Sequence, residues 1–319
     1  MVSKMHHSLP RTWVCIALVL LCLFPLAANA LDMEFYIGFG SRLLIFALAA
    51  TSLNLILGFG GMVSLGHAAY FGAGAYAVGI LMHHDIASAF ISWPVAVLVA
   101  GVLAFLIGLV CLRTKGVYFI MITLAFAQMI YYVFVSLTTY GGDDGLSLMQ
   151  RSDFLFDLSS DTRFYYVVLA LFVASMYFVY RLVNSRFGRV VQGIKENESR
   201  MEAIGYPVFR YKLSCFVIGG ALAGLAGALF ANQMYMANPS MLHWMQSGTL
   251  MVMVILGGVG YLFGGVLGAV FMLLLEEILA AYTLHWALFV GFILLAIVLY
   301  LPEGLSSTFS RSRLAGGKA

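Results

Sequence analysis

Long apolar stretches separated by short polar ones dominate this chain. A helix needs about 20 apolar residues to cross the hydrocarbon core of a bilayer. The pattern therefore predicts an all-α polytopic membrane protein with about ten spans (eight to ten), some of them short or broken at glycines. The predicted spans are residues 12–30, 37–57, 68–83, 93–112, 117–137, 164–180, 213–232, 246–261, 264–281 and 285–301, and residues 1–319 form a single transmembrane domain.

Two parts of the pattern allow more than one interpretation. Residues 12–30 end in Pro25-Leu-Ala-Ala-Asn-Ala30, which resembles a signal-peptide cleavage site, so both an uncleaved first helix and a removed signal are open. Residues 246–281 are interrupted by glycines at 257–260 and 264–265 and could cross once or twice. We predict two crossings, because a single one places the basic tail, residues 302–319, outside.

Composition excludes a soluble protein and charge predicts orientation. Only 10% of the residues are charged and 62% are hydrophobic, whereas soluble domains are about 25% charged. On the ten-span topology, fourteen of the seventeen Lys and Arg residues lie on one side, and only Arg42, Arg151 and Arg163 lie on the other. Positive charge marks the cytoplasmic side, so both termini are predicted to be cytoplasmic.

One stretch, residues 181–212, is long and rich in charge. It holds seven of the seventeen Lys and Arg residues together with three Glu. We predict an amphipathic helix over 189–204, capped by Gly205 and stopped by Pro207. The predicted apolar face comprises Val190, Ile194, Asn197 and Met201. Residues 183–212 are a candidate docking loop for a soluble partner; the alternative is a basic loop that anchors topology and contacts anionic lipid.

The sequence shows no ATPase motif and no proton relay that could drive transport by this chain alone. No Asp, Glu, Lys or Arg occurs between Arg42 and Asp85, between Lys115 and Asp143, or between Lys212 and Glu276, which disfavours a proton relay through the spans. Sodium coupling stays open, since backbone carbonyls can bind Na⁺. There is no Walker A sequence. We therefore predict no catalytic residues, no metal site, no cofactor and no nucleic-acid partner.

Polar side chains near the glycine-rich stretch, residues 58–74, are candidates for a translocation pathway. They are Asn54, Ser64 and His67, with Thr123 and Gln128 on a later span. Broken helices expose backbone only where protein or a cavity satisfies it. The alternative is close helix packing at the glycines, with His67 bound to a neighbouring carbonyl and Thr123 or Gln128 in interhelical hydrogen bonds. The turn at 141–145 is interpreted as an ordinary solvated loop.

Several motifs from Arg42 to Leu305 resemble the LivM-type membrane subunit of bacterial ABC importers for branched-chain amino acids. They are Leu53–Tyr76, Gly116–Gln128, Phe187-Gly-Arg through Glu202-Ala-Ile-Gly205, Ala221–Ala228, Ile255–Gly265 and Leu301–Leu305. The segment Glu202-Ala-Ile-Gly205 looks like the family's counterpart of the EAA coupling segment, although the fuller motif EAAxxxG is not intact here.

The resemblance implies a set of partners in a bacterial inner membrane. They are a LivH-type sister permease, two cytoplasmic ATPases that hold ATP and Mg²⁺, a periplasmic substrate-binding protein and the surrounding lipid. It implies that the ATPase-coupling residues are Arg189, Lys195, Glu196, Glu198, Arg200, Glu202, Ala203 and Gly205. The implied substrates are branched-chain amino acids. Urea, short amides or another small solute, an ion-coupled secondary carrier, and a scaffold or integral enzyme are the alternatives.

Overall fold

Twelve α-helices account for most of the described chain, which in this computed structural model comprises residues 11–30, 34–154, 158–301 and 304–306. The helices are α1 Arg11–Ala30, α2 Glu34–Asn54, α3 His67–His83, α4 Ala89–Cys111, α5 Val117–Ser136, α6 Asp161–Asn184, α7 Arg186–Glu196, α8 Glu198–Ala203, α9 Val208–Met234, α10 Trp244–Gly257, α11 Gly264–Tyr282 and α12 Trp286–Tyr300. The shorter elements are a π-helical turn Leu55–Phe59, 3₁₀ turns Thr138–Tyr140 and Pro239–Leu242, and strands β1 Leu146–Ser147 and β2 Met236–Ala237.

The helix lengths confirm an all-α polytopic membrane protein. Six described helices are long and apolar enough to cross a bilayer: Phe35–Phe59, Ala89–Cys111, Val117–Ser136, Asp161–Asn184, Val208–Met234 and Gly264–Tyr282. Three shorter apolar helices are Cys15–Asn29, Trp244–Gly257 and Trp286–Ile297. With α3, every one of the ten predicted spans coincides with a helix, but the number that cross stays a prediction.

The segment with the signal-like ending forms a continuous helix, α1. It packs on α6, where the Tyr165 hydroxyl donates to the carbonyl of Leu21 at 2.9 Å. Retention of this segment as an uncleaved first helix stays a prediction, with its removal as a signal as the alternative. The predicted tail, 302–319, lies outside the described residues except for 304–306.

The two ends of the bundle differ. One end, here the basic end, carries α7 and α8; the other, the cap end, carries β1 and β2. Helix α9 runs from the first to the second and packs against α2, α3 and α4. Glycines let α9 and α3 meet backbone to backbone: a Cβ at Gly74 would lie 2.1 Å from the Gly224 oxygen, and one at Gly227 would lie 1.7 Å from the Phe71 oxygen. Such small-residue crossings hold membrane helices together.

Both predicted breaks at glycines are confirmed. After Asn54, α2 ends in a π-helical turn whose i+5 bond runs from the Gly60 amide to the Leu55 oxygen at 3.1 Å. A non-helical segment, residues 60–66, then leads to α3. Helices α10 and α11 are likewise separate, with the turn 258–263 between them. Helix α10 has 14 residues and is about 21 Å long, shorter than the roughly 30 Å hydrocarbon core.

The described parts of the polar segment, residues 138–154 and 158–163, form an ordered cap over one end of the bundle. Asp143 and Asp144 are exposed at its turn, as predicted. Outside that turn, β1 pairs with β2 after α9, and Asp153 exchanges backbone hydrogen bonds with Ala87 and Ala89, each at 2.7 Å. Backbone pairing to two neighbouring connections fixes this segment over the ends of α3, α4 and α9.

Arg151 holds the cap together, and we expect Arg151→Leu to destabilise it by about 2–4 kcal/mol. Only 5% of Arg151 is exposed. Its guanidinium donates to the carbonyls of Leu158 (3.0 Å) and Asn232 (3.3 Å), pairs with the Asp161 carboxylate, and lies 4.5 Å from the ring centroid of Phe164. Thermal unfolding in detergent should show a lower midpoint for this variant.

The matched control for that variant is Arg113→Leu, which removes an exposed arginine at the basic end. Its unfolding midpoint should stay within about 2 °C of the wild type, because surface substitutions change stability little. Equal loss of stability in the two variants would contradict the role assigned to Arg151.

Arg42, which the predicted topology assigns to the outer side, lies within α2. It is the ninth residue of α2, about 12 Å along the helix. Its guanidinium lies 3.7 Å from the Glu276 carboxylate on α11. This ion pair joins two packed helices, and each charge compensates the other inside the bundle.

Candidate coupling surface and broken-helix site

Two short helices, not one, form the charged segment at the basic end. The prediction of a single helix over 189–204 is wrong, because Asn197 adopts extended backbone (φ −158°, ψ 99°) and ends α7. The same side chain begins α8 by accepting a hydrogen bond from the Arg200 amide at 2.9 Å. Asn favours such N-cap positions. Gly205 caps α8 as predicted, with φ +94° and its amide bound to the Glu202 oxygen at 2.9 Å.

The break changes which residues face the bundle. On α7, Val191 and Ile194 are buried. The structure describes all four residues of the predicted apolar face, and only one of these four, Ile194, is buried. Val190 and Met201 are half-buried, and Asn197 is exposed. The buried face of the segment differs from the predicted apolar face, because α7 begins three residues earlier than predicted and ends before Asn197.

Two of the predicted coupling residues face into the protein. The ammonium of Lys195 donates to the Gly58 carbonyl in the π-helical turn at 2.5 Å. Glu198 lies 2.6 Å from the ammonium of Lys212 and 3.2 Å from that of Lys115. These contacts bind α7 and α8 to α2, to the start of α9 and to the connection between α4 and α5.

The pKa values of both groups reflect their surroundings. Burial lowers the pKa of Lys195 below its ordinary value, and the nearby charge of Glu196 opposes this in part. For Glu198, burial raises the pKa, but the hydrogen bonds and charges of Lys212 and Lys115 outweigh it, so its pKa lies below the ordinary value. Glu198 is therefore held ionised, and its ties persist as the pH falls to its lowered pKa.

The other predicted coupling residues face outward. They are Arg189, Glu196, Arg200, Glu202, Ala203 and Gly205, all exposed. Between them the structure adds an apolar group that the sequence prediction missed: Ile204, whose exposed fraction is 64%. Together these seven residues form what we call the coupling surface. An exposed large apolar side chain on a segment rich in exposed charged residues is a candidate contact for a soluble partner.

Asn54, a predicted pathway residue, holds two broken helices together. Its amide nitrogen donates to the Tyr261 carbonyl at 2.7 Å, and its oxygen accepts from the Gly260 amide at 3.0 Å. Both partners lie in the turn between α10 and α11. Asn54 is buried and thus links that turn to the last residue of α2.

Three other predicted pathway residues meet where α3 begins. The Thr123 hydroxyl accepts from the Leu65 amide at 3.3 Å, and the Ser64 hydroxyl accepts from the Gly66 amide at 3.1 Å. His67, the first residue of α3, is fully buried. Since Thr123 is the seventh residue of α5, this point lies about 9 Å from the basic end of that helix.

The structure adds two serines that the sequence prediction did not single out. The Ser52 hydroxyl lies 2.8 Å from Nε2 of His67. The Ser247 hydroxyl, in the first turn of α10, accepts from the Ala68 amide at 2.7 Å. Ser52, Ser64, His67, Thr123 and Ser247 form what we call the interior cluster. No signal in the sequence distinguishes these serines, because their partners are distant along the chain.

The N-termini of α3 and α10 both lie at the interior cluster. Helix N-termini favour negative charge, because their first amides have no partner within the helix. Among the described residues, Nδ1 of His67 has no hydrogen-bond partner although it is buried. The cluster thus brings hydroxyls, a ring nitrogen and two helix N-termini together inside the bundle.

Gln128, the fifth predicted pathway residue, lies apart from the cluster on α5. Its side chain is half-buried, and its Oε1 has no hydrogen-bond partner among the described residues. The described residues also contain no group of three or more His, Cys, Asp or Glu that could hold a metal ion.

Comparison with protein families identifies the kind of protein that carries these features. The family model described as "Branched-chain amino acid transport system / permease component" matches residues 36–299. The chain belongs to this family. It is a permease component with multiple transmembrane helices, a multi-pass inner-membrane protein of the branched-chain amino acid ABC transport type.

Curated relatives agree. The chain is 27% identical over 302 residues to the "High-affinity branched-chain amino acid transport system permease protein LivM" of Salmonella typhimurium, covering 86% of this chain and 71% of the relative. The protein of the same name from Escherichia coli is 27% identical over 287 residues, with 82% and 68% covered. The "Probable branched-chain amino acid transport permease protein LivM" of Methanocaldococcus jannaschii is 26% identical over 318 residues, with 82% and 90% covered.

No solved structure matches the chain at a significant level.

Proposed function

We propose that this chain is the transmembrane permease subunit of an ATP-driven, binding-protein-dependent importer of branched-chain amino acids, and that it forms half of the translocation pathway. The observation that carries the proposal is the division of charge on α7 and α8. Lys195 and Glu198 bind the segment to the bundle, while the coupling surface faces outward. A rigidly attached surface with an apolar centre can transmit the movement of a soluble partner to the membrane helices.

The proposed partners are those that the resemblance to the family implies. The basic end is cytoplasmic and binds an ATPase, with ATP and Mg²⁺ held by the ATPases and no cofactor held by this chain. A LivH-type sister permease completes the pathway, and a second ATPase binds beneath the sister. A periplasmic binding protein delivers substrate at the cap end, where Asp143 and Asp144 are exposed. Both termini lie in the cytoplasm, and lipid surrounds the apolar outer faces of the helices.

The interior cluster supplies polar contacts suited to the substrate. A branched-chain amino acid carries a carboxylate and an ammonium group on its α-carbon, together with an apolar side chain. Helix N-termini in broken transporter helices attract such carboxylates, and those of α3 and α10 meet beside Ser64, His67 and Thr123. We place the substrate carboxylate here when the pathway opens, with Gln128 lining it farther along α5. Asn54 holds the helix break in place, since both its polar atoms are engaged.

The test is purification of the tagged chain from its native membranes in mild detergent. We expect a second permease chain and two ATPase subunits to co-purify with it in a fixed ratio, and leucine uptake in vesicles of that assembly to require ATP. An assembly that contains no ATPase, or one that takes up leucine on an ion gradient without ATP, would contradict the proposal and favour a secondary carrier.

A further inference from the structure

We infer that Lys195 is the positioning residue through which movement of the coupling surface reaches the broken helices of the membrane domain. The inference rests on the proposed function and deepens it. In this role Lys195 does not contact the cytoplasmic partner. It acts through its hydrogen bond to the π-helical turn that follows α2.

The contact between Lys195 and the π-helical turn is built on glycines. The ammonium donates to the Gly58 carbonyl at 2.5 Å. The stem of the side chain passes over Gly61, where a Cβ would lie 2.8 Å from Cγ of Lys195, and the ammonium lies 3.7 Å from the position of a Cβ on Gly260. Any larger residue at Gly61 would displace the lysine, so the side chain occupies a fitted groove.

The gripped carbonyl lies at a helix end. Gly58 is in the last turn of the helix formed by α2 and its π-helical turn, where carbonyls lack partners farther along the helix. A cation is favoured at that end. If α7 moved away with its lysine, the carbonyl would lose a charged donor, and such unpaired groups are disfavoured when buried. The π-helical turn is therefore expected to follow α7.

The same turn is joined to other broken segments. A Cβ at Gly58 would lie 2.6 Å from the Gly260 amide nitrogen, and Asn54 binds both Gly260 and Tyr261. A displacement of Lys195 thus reaches α2, the α10–α11 turn and, through residues 60–66, the start of α3. The start of α3 lies at the interior cluster, so one lysine connects the coupling surface with the candidate pathway.

The test compares Lys195→Met, which keeps an unbranched apolar stem of four atoms and removes the ammonium group, with Lys195→Arg, which keeps a charged donor. Arg113→Met is the matched control, since Arg113 is an exposed cation at the basic end outside the coupling surface. Each is measured as the purified assembly in vesicles, for subunit content, for ATP hydrolysis and for leucine transported per ATP hydrolysed.

For Lys195→Met we expect normal subunit content, ATP hydrolysis within about twofold of the wild type, and at least about a tenfold lower ratio of leucine transported to ATP hydrolysed. Lys195→Arg should recover most of that ratio, and Arg113→Met should keep all of it. A merely structural lysine would instead lower subunit content, hydrolysis and uptake together. An unchanged ratio in Lys195→Met, or a parallel fall of hydrolysis and uptake, would overturn the inference.

Hydrogen exchange provides a readout that does not depend on transport. In the purified chain without ATPases, Lys195→Met should speed the exchange of amides 58–62 by at least about tenfold, while Lys195→Arg and Arg113→Met leave it unchanged. Equal exchange rates in all variants would contradict the stabilising contact between Lys195 and the π-helical turn. A wild-type assembly that takes up no leucine with ATP contradicts the proposed function instead, so the two failures are distinguishable.

Discussion

Replacing Gly227 by leucine is expected to leave almost no folded protein in the membrane. Even the first carbon of a side chain at this position would lie 1.7 Å from the Phe71 carbonyl oxygen, which belongs to rigid helix backbone. Helices α3 and α9 would have to separate, and with them the neighbouring contact of Gly74 with Gly224. Overpacking of this kind costs several kcal/mol, here at least about 3 kcal/mol.

The measurement is the yield of monodisperse protein after detergent extraction, together with its unfolding temperature. Gly248→Leu is the matched control, because Gly248 lies in helix α10 and a Cβ there would meet nothing within 4 Å. We expect at least about a tenfold lower yield for Gly227→Leu and a near-normal yield for the control. Equal yields would contradict the backbone contact between α3 and α9.

Replacing Ile204 by glutamate is expected to release the ATPases and abolish ATP-driven uptake. The side chain is 64% exposed, so its replacement should not disturb folding. Buried apolar anchors at the centre of an interface contribute about 2 kcal/mol or more each, and a charge placed there must also be desolvated. We therefore expect co-purification of the ATPases to fall by at least about thirtyfold.

Leu284→Glu is the control for that substitution. Leu284 is an apolar residue with an exposed fraction of 96% in the connection between α11 and α12, away from α7 and α8. It should keep the normal amount of bound ATPase. The content of ATPase is measured on purified assemblies, and a normal content in Ile204→Glu would show that the partner binds elsewhere.

The helices of the bundle could be predicted from the sequence because each depends on a local property. Runs such as 117–137 and 264–281 are apolar and uninterrupted, and lipid leaves them no alternative to a helix. The breaks after Phe59 and Gly257 were also predictable, since glycines interrupt the apolar runs there. The cap at Gly205 followed from its position after a charged helix.

The contacts that organise the candidate site could not be predicted, because their partners are far apart in sequence. The grip of Lys195 on Gly58 joins residues 137 positions apart, and Asn54 reaches 206 positions to Gly260. No periodicity reports such pairs. Helix α7 ends at Asn197 because the Asn197 side chain forms an N-cap hydrogen bond that competes with continuation of the helix. The ordered structure of the segment over the cap end depends on the burial of Arg151 by α6 and α9.

The most direct test of the central claim is leucine uptake by the chain alone. It is reconstituted in sealed vesicles without ATPases and compared with the complete assembly, with ATP present and with sodium or proton gradients imposed. We predict that radiolabelled leucine accumulates only in vesicles with the ATPases and ATP. Accumulation against a gradient by the single chain, driven by an ion gradient and indifferent to ATP, would contradict the account.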